Sequence, residues 1–125
     1  MVNKLWVVML IFIYKITNTI NNKVYIGQSV RPVEQRFKRH ILDAMNHTWD
    51  THFARAIRKY GADNFYIEII DTACNQTELN VKEQYWIKYY NSTKTGYNET
   101  DALYNVAGTH TKTNLIQSCN VLKIK

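Results

Sequence analysis

The residue whose type and position most clearly suggest chemistry is Glu83. Leu79, Trp86, Ile87 and Tyr90 recur at helical spacing, and Glu83 lies four residues after Leu79 and three before Trp86. A carboxylate on a core-facing helix stripe is costly unless it pairs with a cation or binds a metal ion. The residues alone leave two interpretations open. Glu83 is either a structural carboxylate, paired with a base of another helix or reaching water at the stripe's edge, or a metal ligand.

Arg36 and His40 form a second candidate group, because they lie one helical turn apart and both side chains can reach one phosphate. Arginine offers a planar fork of donors to two phosphate oxygens, and histidine can donate or accept a hydrogen bond near neutral pH. The alternative is an ordinary solvated helix face, since Lys38, Arg39 and Asp43 are close by. The pattern therefore allows a phosphate-binding site without requiring one.

Tyr14 and Tyr25 lie on two short runs, 12–18 and 23–29, which are rich in β-branched and aromatic residues. Asparagines between the runs are typical of a tight turn, so this stretch predicts a β-hairpin. Antiparallel pairing can bring both tyrosines to the same end of the sheet. Strand tyrosines usually occupy core positions with satisfied hydroxyls, and that interpretation stays open here. Gly27 is expected to close the second strand.

The elements around these residues follow from local signals. Pro32 marks the start of a first helix, and apolar spacing predicts a second helix over 51–60 with Gly61 as its C-terminal stop. Alternation predicts a third strand over 65–70, and a capping pattern predicts a third helix over about 75–90. The order β-β-α-α-β-α predicts an α+β domain, with a small antiparallel three-stranded sheet flanked by helices.

The composition is that of one globular, basic domain. The 125 residues are 46% hydrophobic and include sixteen Lys and Arg against ten Asp and Glu, which gives a net charge of +6. This balance favours polyanions, nucleic acid before an anionic membrane, although basic charge can also serve solubility alone. The apolar run 5–13 is far shorter than the roughly 20 residues of a membrane helix. Cys74 and Cys119 form no metal-binding pattern, so reduced thiols in a cytoplasmic setting are expected.

Several motifs follow one another in the order found in GIY-YIG nucleases, and the chain resembles that family over residues 11–101. The first tripeptide of the family's name keeps its tyrosine but has Phe12 in place of the leading glycine. The matching residues are Tyr14, Tyr25-Ile26-Gly27, Arg36 with His40, Lys59-Tyr60-Gly61, Glu83 with Trp86-Ile87, and Gly96-Tyr97-Asn98. We therefore expect a nuclease-like domain over 11–101, an N-terminal extension over 1–10 and a C-terminal tail over 102–125.

The resemblance implies a metal-dependent endonuclease that hydrolyses phosphodiester bonds of double-stranded DNA, with Mg²⁺ or Mn²⁺ as its cofactor. Homing-type catalytic domains of phages and introns are the most similar members of the family. The alternative is a catalytically silent nucleic-acid-binding module on the same fold. Neither interpretation places the chain at a membrane, and neither predicts its oligomeric state. The residues expected to contact the DNA backbone are Arg31, Lys38, Arg39, Arg55, Arg58, Lys59 and Lys88.

The resemblance also implies roles for single residues of the site. Glu83 would hold the one divalent cation, as a hard cation with one carboxylate and several waters is the usual arrangement for Mg²⁺ in phosphate chemistry. Arg36 would stabilise the pentavalent phosphate, and His40 would assist it. Asn98 would brace the site or position the phosphate.

The two tyrosines would divide two tasks between them. One hydroxyl of Tyr14 and Tyr25 would orient or deprotonate the attacking water, and the other would contact the scissile phosphate. The resemblance does not decide which residue does which. Because a tyrosine has an unperturbed pKa of about 10, it is a poor base at neutral pH and would need help from a nearby cation.

Overall fold

The computed structural model describes residues 10–99, and it confirms the predicted order of elements. A 3₁₀ turn before the third strand and a one-turn helix near the end are additions that the sequence did not predict. The elements are β1 (Ile11–Asn18), β2 (Val24–Ser29), α1 (Val33–Met45), α2 (His52–Tyr60), the 3₁₀ turn (Ala62–Asn64), β3 (Phe65–Ala73), α3 (Gln76–Tyr90) and α4 (Ser92–Thr95).

The three strands form an antiparallel sheet in the order β2-β1-β3, so β1 is central and β2 is an edge strand. Tyr14 on β1 lies opposite Gly27 of β2 and opposite Ile69 of β3. Strand β3 was predicted to end at residue 70 but continues to Ala73. Between Ile13 and Tyr14 of β1, the pairing with β3 shifts by one residue. Ile70 is the extra residue of the resulting β-bulge.

Helices cover both faces of the sheet, which gives the domain two cores. On one face Tyr14 and Ile16 pack with residues of α1 and α2, including Phe53. On the other face Ile13 and its neighbours pack with Leu79 and other residues of α3. Successive side chains of β1 point to opposite faces of the sheet. Alternate residues of the strand therefore belong to different cores.

Gly61 ends α2 and Asn75 caps α3 as the sequence predicted, whereas Thr51, predicted as a helical residue, is the N-cap of α2. Thr51 caps α2 with its hydroxyl, and Gly61 ends that helix with a φ of 88°, which favours glycine. Asn75 Oδ1 accepts a hydrogen bond from the Glu78 backbone N–H at 2.8 Å. The Glu78 carboxylate in turn accepts one from the Cys74 N–H at 2.7 Å. These caps set where α3 begins and therefore which of its residues face the sheet.

The segment after α4 runs beside the outer edge of β2. The Tyr97 N–H donates to the Val24 carbonyl at 2.9 Å. A side chain at Gly96 would lie 2.4 Å from that same carbonyl oxygen, so the close approach requires glycine. The buried Tyr97 hydroxyl also accepts hydrogen bonds from the side-chain amides of Asn18 and Asn21, at 2.9 and 3.2 Å. One segment therefore closes the sheet edge and braces the hairpin turn.

One expectation from the sequence is wrong, and others concern residues that the structure does not describe. Cys74 is disulfide-bonded, so the expectation of a reduced thiol is wrong for that residue, and Cys119 lies outside the described residues. The predicted tail 102–125, and all but Leu10 of the predicted extension 1–10, also lie outside them. Over residues 10–99, no helix has the length and apolar character needed to cross a bilayer.

Candidate active site

Tyr14 and His40 form the contact that joins the sheet to α1. The Tyr14 hydroxyl lies 2.8 Å from His40 Nε2, and the Tyr14 side chain is fully buried. The Tyr25 ring centroid lies 6.3 Å from that of Tyr14 and 5.3 Å from that of His40. Tyr25 also stacks on Phe53 of α2, with centroids 4.4 Å apart and an interplanar angle of 3°. The hairpin register therefore brings the two tyrosines together, as the sequence predicted.

Gly27 is needed because the Tyr14 ring passes directly over it. A Cβ at Gly27 would lie 2.4 Å from both the hydroxyl oxygen and the Cζ of Tyr14. The strand continues to Ser29, so the expectation that Gly27 closes β2 is wrong. The reason for glycine is side-chain packing across the strand pair and not a strand end, and any larger residue must displace the Tyr14 hydroxyl.

Burial sets the protonation of this pair. It raises the pKa of Tyr14 well above the ordinary value near 10; the neighbouring Tyr25 adds to that rise, and Arg36 opposes it. Burial and the positive charge of Arg36 lower the pKa of His40 from 6.5 to about 4. The Asp43 carboxylate acts in the opposite direction and raises that pKa. At neutral pH the pair therefore carries no net charge, with one proton between Tyr14 Oη and His40 Nε2.

Glu83 lies where the helical pattern placed it, on the face of α3 that packs on the sheet. Its side chain is buried, with the residue 8% exposed, and Glu83 Oε1 accepts a hydrogen bond from Gln28 Nε2 at 2.8 Å. The side-chain oxygen of Gln28, Oε1, accepts in turn from Gln76 Nε2 at 3.4 Å. This second contact fixes the orientation of the Gln28 side-chain amide. Sequence reasoning missed Gln28, and the available signal was its place next to Gly27 on the same strand face as Ile26.

A cleft of about 780 Å³ collects most of the residues predicted for catalysis and metal binding around the edge of β2. Glu83 enters it from α3 on one face of the sheet, and Arg36 and His40 enter it from α1 on the other. Tyr25 lines the cleft from β2 itself, whereas Tyr14 lies behind the wall and contacts His40. The cleft thus brings together a carboxylate, a guanidinium, an imidazole and a phenol.

Asn98 braces the strand that carries Tyr25. Its side-chain amide donates to the Ile26 carbonyl, and its carbonyl oxygen accepts from the Ile26 N–H, both at 2.9 Å. The Asn98 side chain pairs with the edge of β2 as a neighbouring strand would. Of the two roles expected for Asn98, this geometry supports bracing of the site.

The basic residues expected to contact DNA fall into three groups. Arg31 and Arg39 line a second pocket of about 500 Å³, which adjoins the cleft because Arg36 and Arg39 line both. Arg55 and Arg58 instead form ion pairs with Asp50, at 3.4 and 3.1 Å. The three lysines, Lys38, Lys59 and Lys88, line neither pocket and are exposed. Lys38 lies on α1 and Lys88 on α3. The ammonium group of Lys59 lies 5.2 Å from the ring centroid of Tyr60.

Fold and site together define a GIY-YIG catalytic domain. Residues 10–98 match the family of that description, so the chain belongs to the GIY-YIG catalytic-domain family. The intron-associated endonuclease 1 of Enterobacteria phage T4 is 37% identical to this chain over an alignment of 101 residues, and the match covers 78% of this chain and 40% of that protein. The chain therefore spans well under half the length of that relative.

Solved structures of a phage-type intron nuclease have the same fold. A mutant of the catalytic domain of intron endonuclease I-TevI superposes with a TM-score of 0.67 and 33% identity, over 78% of this chain and 100% of that one. A structure of the catalytic domain of homing endonuclease I-TevI gives a TM-score of 0.64 and 34% identity, over 73% of this chain and 99% of that one. The family and the α+β fold inferred from the motifs are confirmed.

Proposed function

We propose that this chain is a metal-dependent endonuclease domain that hydrolyses phosphodiester bonds of double-stranded DNA. The observation that carries the proposal is the cleft in which Tyr25, Arg36, His40 and Glu83 meet at the edge of β2. The names of the similar proteins, an intron-associated endonuclease and an endonuclease catalytic domain, support the same activity. The net charge of +6 supports a polyanionic substrate.

Tyr25 is the tyrosine that faces the substrate in this account. It lines the cleft, and its ring is held between the stacked face of Phe53 and the edge of His40. Its hydroxyl orients the attacking water against the phosphate. Tyr14 acts through His40 as a positioning residue, because it is fully buried and its raised pKa keeps it protonated. Burial supports Tyr25 for the water-orienting task, and in this proposal Tyr14 takes neither of the two tasks expected of the pair.

Arg36 supplies the positive charge that the reaction needs. Phosphodiester hydrolysis passes through a pentavalent phosphate with additional negative charge on its oxygens. A fixed guanidinium therefore stabilises this transition state more than it stabilises the ground-state phosphate. Arg36 lines both the cleft and the adjoining arginine pocket. A phosphate in the cleft and its neighbour along the strand can therefore both meet arginine side chains, with Arg31 and Arg39 serving the neighbour.

Glu83 would hold the divalent cation, Mg²⁺ or Mn²⁺. The donor fits, because Glu83 is a buried carboxylate on the cleft wall whose orientation is set by the Gln28 amide. Over residues 10–99 no three metal-binding side chains cluster, so water and phosphate oxygens would complete the coordination, as is usual for Mg²⁺. When bound, the cation would screen the negative charge of the leaving 3′ oxygen.

Nicking of supercoiled plasmid tests this function directly. The purified chain is incubated with plasmid in Mg²⁺, in Mn²⁺ and in excess chelator, and nicked and linear forms are separated on a gel. We expect cleavage in at least one of the two metals and none with chelator. Plasmid that is bound but never cut in either metal would instead favour the silent nucleic-acid-binding module.

A further inference from the structure

Trp49 lies at the rim of the cleft and has no role in the chemistry described above. It belongs to the loop between α1 and α2, and 60% of its surface is exposed although it lines the same cleft as Tyr25 and Arg36. A tryptophan on a solvated loop would normally bury its large apolar ring. Its position therefore needs an explanation other than packing.

The backbone on both sides of Trp49 is firmly held, so a poorly fixed loop does not explain the exposure. On the N-terminal side the Thr48 N–H donates to the Asp43 carbonyl at 2.9 Å. On the C-terminal side the Arg55 guanidinium donates to the Asp50 carbonyl oxygen at 2.8 Å. The loop thus presents the Trp49 ring at a defined place.

Arg58 fixes the same loop from α2. Its guanidinium donates to the Ala44 carbonyl oxygen at 2.9 Å and pairs with the Asp50 carboxylate at 3.1 Å. The end of α1, the loop and the body of α2 are therefore tied together by one side chain. Two arginines expected to contact DNA are therefore bonded to this loop: Arg55 and Arg58 position the segment that carries Trp49.

The surroundings of Trp49 indicate what its ring could contact. The cleft carries the guanidinium groups of Arg36 and Arg39 together with the carboxylates of Asp43, Glu83 and Glu99, and Arg39 pairs with Asp43 at 3.2 Å. The charge that attracts phosphate is therefore strongest toward the adjoining pocket, which Arg31, Arg36 and Arg39 line without a carboxylate. The cleft volume of about 780 Å³ suits a nucleotide-sized group. An exposed aromatic face near arginines that can hold a phosphate is an arrangement by which proteins bind unstacked bases, since every nucleobase has a π-face. A nucleobase next to a bound phosphate is the partner that fits both features.

We propose that Trp49 is a stacking platform for an unstacked nucleobase of the DNA strand whose phosphate lies in the cleft. This inference rests on the proposed function, because the same cleft must hold DNA. Stacking on Trp49 would add a contact to a nucleobase at a site that otherwise contacts only the DNA backbone. The domain therefore binds more tightly where a base near the cleavage position is unpaired or easily unstacked.

Binding to two duplexes tests the inference without relying on cleavage. One duplex is fully paired, the other carries a single unpaired nucleotide, and fluorescence anisotropy measures the affinity of the full chain for each in chelator. We expect the wild type to prefer the duplex with the unpaired nucleotide. Trp49→Ala loses about tenfold for that duplex, the order expected for one stacked base, and little for the paired one, while Trp49→Phe retains most of the preference.

A matched control is Tyr89→Ala, because Tyr89 is 63% exposed on α3 and lies outside the cleft. It should bind both duplexes as the wild type does. Wild type and Trp49→Ala with the same ratio of affinities for the two duplexes would overturn the inference while leaving the proposed function in place. A wild-type chain that binds neither duplex would overturn both. Circular dichroism of each variant confirms that the comparison is between folded proteins.

Discussion

The Tyr14 hydroxyl lies 2.8 Å from His40 Nε2 and occupies the space that a side chain on Gly27 would need. One contact thus links β1, β2 and α1 and sets the positions from which Tyr25 and Arg36 reach the cleft. Because Tyr14 lies behind the cleft wall, we propose that it holds the site together.

Gly27→Ala should damage the site through Tyr14. The new methyl group must displace the Tyr14 hydroxyl, and overpacking of a buried site costs about 1–3 kcal/mol of unfolding free energy. We expect a lower melting temperature and, at temperatures where the variant is folded, a large loss of plasmid cleavage. The control is Gly61→Ala, which strains a left-handed φ by roughly 1–2 kcal/mol but lies away from the cleft. Equal cleavage losses in the two variants would argue against a special role for the Tyr14–Gly27 contact.

The lowered pKa of His40 predicts how the stability of the domain depends on pH. Its pKa is about 4 in the folded chain and near 6.5 when unfolded, so between these values the unfolded state binds more protons. The stability linked to neutral His40 is therefore complete above pH 6.5 and is lost as the pH falls toward 4. Thermal unfolding of wild type and His40→Gln across this range checks the sign. The variant should show a flatter decline, and parallel curves would mean that His40 titrates normally.

Gln28 should affect metal use through Glu83. Gln28→Leu keeps the side-chain size but removes the amide that orients the Glu83 carboxylate. Loss of such a partner typically costs 10- to 100-fold in metal affinity, so the Mg²⁺ concentration for half-maximal cleavage should rise by about tenfold or more. Gln76→Ala removes the longer contact to Gln28 and a contact to Asn80 but leaves the bond between Gln28 and Glu83, so it should have a smaller effect. An unchanged Mg²⁺ requirement in Gln28→Leu would separate Gln28 from the metal site.

The helices and their inward faces could be predicted because their signals are local. The stripe that contains Glu83, the cap at Asn75 and the stop at Gly61 each depend on residues a few positions apart. The hairpin follows from two β-rich runs and an asparagine turn for the same reason. These are the parts of the fold that the sequence predicted correctly.

The contacts that assemble the site could not be read in the same way. Tyr14 and His40 are 26 positions apart, and Gln28 and Glu83 are 55 apart. Such pairs depend on strand register and on how the helices pack, which local periodicity does not contain. The pairing of Arg58 with the α1–α2 loop was missed for that reason, since its sequence pattern is that of any exposed base.

Arg36 and Arg31 should separate catalysis from binding. Arg36→Ala removes a contact that strengthens in the transition state, so cleavage should fall by about 10²–10³ while DNA affinity changes little. Arg31→Ala, in the adjoining pocket, should weaken binding to any sequence and make it less salt-dependent, with a nearly normal rate for bound plasmid. Single-turnover cleavage and anisotropy titrations at two salt concentrations measure both effects. Equal losses of rate and affinity in Arg36→Ala would reduce it to an ordinary backbone contact.

The most direct test of the account is single-turnover plasmid cleavage in Mg²⁺ by wild type and Glu83→Gln, with circular dichroism and duplex affinity measured on the same preparations. Glutamine keeps the shape of the side chain but is a much poorer ligand for a hard cation. If Glu83 holds the metal ion, Glu83→Gln cleaves only at background level while its fold and its DNA affinity are unchanged. A Glu83→Gln protein that cleaves at the wild-type rate, or one that unfolds while wild-type cleavage is indifferent to chelator, would contradict it and make Glu83 a structural carboxylate.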